Sequence, residues 1–112
     1  MQKIYRVHKE PTAVEMHIHQ IFIPRVHCEL WETPESEDYI EPGKEKRFVI
    51  MRMPDKYLIG QLALRFIPQG TELLVTDEPY SVQKGQDFDT EAFTEFHHSL
   101  LESIPWRKEQ IS

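Results

Sequence analysis

The stretch from Arg47 to Thr76 constrains this chain most, because three alternating segments there are separated by two short turn sequences. Arg47 to Met53 sets Val49, Met51 and Met53 against Phe48, Ile50 and Arg52, and Pro54-Asp55-Lys56 then supplies turn chemistry. Tyr57 to Ile67 places Leu58, Leu62, Leu64 and Phe66 on one face. A helix over 56–67 would align Ile59, Leu62, Ala63 and Phe66, but it would hold Gly60 in its interior and Leu64 on its polar side, so the strand is preferred. Pro68-Gln69-Gly70 predicts a three-residue loop with Gly70 in a bulge, which would put Ile67 opposite Thr71, Leu64 opposite Leu74 and Ala63 opposite Val75. The outcome is an antiparallel meander.

The flanks extend it. Ala13 to Ile23 alternates Met16, Ile18 and Phe22 with His17, His19, Ile21 and Ile23, and Pro24-Arg25 predicts a bend or bulged edge before a strand over Val26 to Trp31. Asp77 to Phe88 is polar and contains Pro79 and Gly85, which predicts a loop with room for a short strand at 80–83. Phe93, Phe96, His97, Leu100, Leu101 and Ile104 then form a helical stripe, with Asp87 or Asp89 as its cap and Pro105 as its stop. Trp106 is expected to fold back as a lid, and 107–112 to fray. With 112 residues, 39% of them hydrophobic, the expected fold is one α+β domain. Its architecture is mainly an antiparallel meander of about five to six strands packed against one C-terminal helix.

Charge narrows the partners. Thirteen basic and nineteen acidic residues leave a net charge of -6, which argues against nucleic acid and anionic membranes as ligands. No apolar run reaches the roughly 20 residues of a bilayer span, and the first residues resemble no signal peptide, so a cytoplasmic location is expected. The acids concentrate in 32–46, where Glu35, Glu37 and Asp38 sit between Pro34 and Pro42 and are followed by Lys44 and Lys46; this segment is expected to be an exposed acidic loop.

The segment Gly60-Gln-Leu-Ala63-Leu-Arg65-Phe-Ile67-Pro68-Gln-Gly70-Thr71, continuing to Pro79, resembles the opening of SET domains, Gly-x-x-Ala-x-Arg-Asp-Ile-Pro-x-Gly. SAF domains open similarly. Both are β-clip folds, so the resemblance of 60–79 implies a strand, a tight turn and a second strand. Phe66 stands where those families carry Asp. The chain contains no asparagine, so the Asn-His cofactor motif of SET methyltransferases is absent, and no tyrosine follows Tyr80. Only the hairpin geometry carries over.

Few residues suggest chemistry. His17 and His19 would project from one side of a strand, two imidazoles toward a zinc or other transition-metal site that needs further donors. The single cysteine, Cys28, excludes an internal disulfide and is expected to be an inert thiol. No phosphate-binding glycine loop or nucleophile elbow occurs. No catalytic residue and no cofactor are assigned. The expected function is therefore a small acidic protein-binding module, an adaptor, inhibitor or accessory subunit, with a small metal-dependent enzyme or ligand-pocket protein using His17 and His19 as the alternative. The partner is another protein or a second copy of the chain, engaged through a sheet edge near Pro24 or Phe48 to Met53, or through Glu35, Glu37, Asp38, Tyr39, Trp31 and Trp106.

Overall fold

A computed structural model describes residues 2–78 and 89–112. The elements are β1 (Gln2–Val7), α1 (Pro11–His17), β2 (Cys28–Glu32), β3 (Glu45–Arg52), β4 (Tyr57–Ile67), β5 (Gly70–Thr76), α2 (Thr90–Ser103) and β6 (Lys108–Gln110). The strands form one antiparallel sheet in the order β2-β3-β4-β5-β1-β6. This is the α+β arrangement expected, with a helix before the sheet's main meander as well as one after it. The short strand expected at 80–83 lies outside the described residues.

Both helices cover the same face. Tyr5, Val7, Phe48, Ile50, Leu62, Leu64, Leu73 and Val75 point to it, and Val14, Ile18, Phe22, Phe93, Phe96, Leu100 and Ile104 meet them in the buried core. Asp89 caps α2, its Oδ1 accepting from the Ala92 amide at 2.9 Å, and the α2 stripe is the one its spacing predicts. Among the described residues no helix is long and apolar enough to cross a membrane.

The segment read as a strand over 13–23 is helical. Pro11 occupies the first turn of α1, where its missing N–H costs nothing, and Val14, Ile18 and Phe22 recur every four residues on the buried side. That interval exceeds the 3.6 residues of an α-turn, and the helix continues through a wider π turn, Ile18–Phe22, that keeps Phe22 in the core. A 3-10 turn, Ile23–Arg25, follows. Met16 and Ile21, which supplied the apparent alternation, are exposed.

The loop between β4 and β5 is one residue shorter than expected. Ile67 faces Gly70, Leu64 faces Leu73 and Ala63 faces Leu74, so Thr71, Leu73 and Val75 turn to the helices. Gly70 has φ +139, and a Cβ there would lie 2.4 Å from the Val7 carbonyl oxygen. The glycine answers an approach by the end of β1. Residues 107–112 also depart from expectation. β6 pairs with β1, the Ile111 amide donates to the Ile4 oxygen at 2.8 Å, and the Ile4 amide donates to the Ser112 oxygen at 2.8 Å.

Candidate interaction surface

The face of the sheet away from the helices carries an ordered row of charge. Glu109, Arg6, Glu72, Arg65 and Glu45 stand opposite one another across β6, β1, β5, β4 and β3, alternating in sign along the row. Beside it Ile4, Leu74 and Ala63 form an apolar row. Opposite charges directly across strands stabilise a pairing, and a balanced row offers little net field to a charged ligand.

The two ends of the sheet differ. β6 is three residues long and polar, a common way of blunting an edge. β2 is five residues long and ends the sheet on the other side. The Met53 amide donates to the His27 oxygen and the Thr33 amide donates to the Arg47 oxygen, both at 2.8 Å. In an antiparallel ladder such bonds fall on alternate residues, so with Glu29 opposite Met51 and Trp31 opposite Val49, residues 27, 29, 31 and 33 turn inward to β3. Cys28, Leu30 and Glu32 therefore aim their N–H and C=O groups outward. Among the described residues none of these groups has a hydrogen-bond partner. β3, which contains most of the expected Phe48 to Met53 edge, is interior, paired to β2 and β4.

Side chains along β2 add contact chemistry. Trp31 is 49% exposed on the helix-free face, and its Nε1 donates to Glu29 Oε2 at 2.9 Å. Cys28 and Leu30 pack against the core from the other face. At the start of β2, a groove of about 640 Å³ runs between Cys28, Met53, Ile59 and the α2 residue Phe96, with Arg25 and His27 on its rim. Burial pushes the Cys28 thiol pKa up, more than Arg52 lowers it, which disfavours the thiolate a nucleophile needs.

The acidic loop is tied down. Glu37 lies 3.0 Å from Lys44 and Asp38 3.7 Å from Lys46, while the Ser36 hydroxyl donates to the Arg47 oxygen and accepts from the Arg47 amide. Tyr39 is half-buried with Lys46 Nζ 5.2 Å from its ring centre, and burial beside Glu15 pushes its hydroxyl pKa up. Glu35 is exposed and also has a partner within the fold. Most of this loop's charge is matched locally.

His17 and His19 part company on the helix. His17 meets Trp106 edge-on at 5.5 Å, with Ser103 Oγ 3.4 Å from its Nε2. His19 lies 3.7 Å from Glu15 and edge-on to Phe48 at 5.3 Å. Two residues on a helix differ by about 200°, which sends the rings to different neighbours. Among the described residues no three His, Cys, Asp or Glu side chains gather closely enough to hold a metal ion. Trp106 does fold back, half-buried, with Lys9 Nζ 5.5 Å from its ring centre.

No protein-family model matches the chain, and the curated proteins and the solved structures yield no match either. Within the SET-like segment, residues 60–76 are the larger part of β4, a two-residue turn and β5. The exposed ladder groups of β2 escaped residue-by-residue reading, because their direction depends on pairing with residues some twenty positions away. Pro24 beside an apolar strand was the available signal.

Proposed function

We propose that this protein is a small, non-catalytic protein-binding module, an adaptor, inhibitor or accessory subunit, that takes an extended segment of its partner onto the free side of β2. The observation that carries the reading is the outward set of backbone groups at Cys28, Leu30 and Glu32 on a five-residue edge strand. An added strand satisfies such groups directly, giving affinity through main-chain hydrogen bonds. Trp31, half-exposed beside that edge, supplies the kind of aromatic anchor that dominates interfaces. Glu37 and Asp38 are already matched by lysines, so the acidic loop adds little to this contact.

A photo-crosslinking residue placed at Glu32 tests this in the source cells. Discrete cross-linked protein is expected at Glu32, with none from the same residue at the exposed Glu102 on α2, and Leu30→Pro should abolish the product. No product at Glu32, or equal yield at both positions, contradicts the reading.

A further inference from the structure

We propose that the strand added to β2 is β2 of a second copy, so that two chains join edge to edge in one continuous sheet; the inference rests on the reading of β2 as a binding edge. The outward groups of Cys28, Leu30 and Glu32 are symmetric about Leu30. An antiparallel copy centred there sets Leu30 against Leu30, and Cys28 against Glu32 at both ends. Each of these pairs exchanges two main-chain hydrogen bonds. The two-fold axis stands normal to the sheet, which keeps the helices of both copies on one side.

Charge along β2 fits the antiparallel arrangement. The residues just before it include Arg25, at the end of the 3-10 turn, and His27, and its last residue is Glu32. Among the described residues Arg25 and Glu32 have no ion-pair partner within the chain. Antiparallel self-pairing brings the basic residues before each strand toward the acidic end of the other, whereas a parallel copy would align like with like. On the open face, Trp31 of each copy falls opposite Glu29 of the other. Glu29 already accepts the indole N–H within one chain, so the same donor and acceptor types meet again across the interface. The contact is short and each copy carries a net charge of -6, so the association is weak and reversible.

Sedimentation velocity across a concentration series tests this on the intact protein. The 13.4 kDa chain is expected to reach twice that mass as concentration rises. Glu32→Pro should abolish the dimer: the Glu32 side chain is exposed and its amide bonds nothing in the monomer, so proline blocks the edge without removing a ladder bond. Glu32→Lys, a surface change that leaves the fold intact, should weaken the dimer about fivefold, with Arg25→Glu added to it restoring the affinity. A chain that stays monomeric to about 1 mM overturns self-pairing, while cross-linking at Glu32 still decides the broader reading separately. A dimer that persists undiminished in both Glu32 variants overturns self-pairing through this edge.

Discussion

The Tyr5 hydroxyl and His97 Nε2 lie 2.7 Å apart, joining the first strand to the last helix across 92 residues of sequence. Around them the Phe93 ring sits 5.7 Å from the imidazole. Burial, aided by the charge of Lys3 and His98, lowers the His97 pKa below its usual 6.5. Burial likewise lowers that of His17.

Stability should therefore fall on mild acidification. The unfolded chain takes up these protons near pH 6.5, and the folded protein does so only at lower pH, so stability present above 6.5 is lost as pH drops through the folded values. Thermal midpoints measured from about pH 7.5 to 5 should decline, and His97→Gln should flatten the decline. An unchanged slope in His97→Gln would contradict this assignment.

Gly60 should tolerate no side chain. A Cβ there would sit 2.3 Å from the Thr76 oxygen and 3.0 Å from the Phe93 ring, between β5 and α2. Gly60→Ala should cost about 1 to 3 kcal/mol in urea unfolding, comparable to overpacking a core. Leu100→Ala, which empties a fully buried site on α2, should cost about 2 to 5 kcal/mol.

The start of α2 depends on a carboxylate. The Ala92 amide lowers the Asp89 pKa first, and Arg52 lowers it further. Arg52 also pairs with Asp55, whose pKa falls for that reason. Both acids give stability that is present above their ordinary 3.8 and is lost as pH falls through the depressed folded values. Asp89→Ala should lower the thermal midpoint at neutral pH and reduce the loss seen on strong acidification.

The alternating row on the helix-free face makes a charge-order prediction. Arg65→Glu would place three acids side by side, Glu72 and Glu45 flanking the new one. It should cost about 1 kcal/mol, and added salt should recover part of the loss. Arg65→Lys should be nearly neutral.

Physical range explains which parts were legible in sequence. The meander from Arg47 to Thr76 and the stripe of α2 follow local periodicity, which buried faces enforce. The register at Gly70 did not, because that glycine yields to Val7 and Lys9, far away in sequence. Residues 11–25 carried two periods at once. Exposed Met16 and Ile21 completed a false alternation, while Pro11, Val14, Ile18 and Phe22 held the true one. Lys108 to Gln110 has no apolar pattern to read, since β6 is held by main-chain bonds to β1. His17 and His19 share a side only in an extended strand, and this segment is a helix.

Residue-resolved amide hydrogen exchange along β2 separates an open edge from a covered one. In dilute, monomeric protein the Leu30 and Glu32 amides should exchange fast and those of Glu29 and Trp31 slowly, and raising the concentration until chains associate should slow Leu30 and Glu32. A Leu30 amide already as protected as that of Trp31 in the monomer, or one unmoved by association, would mean that β2 is not an open binding edge.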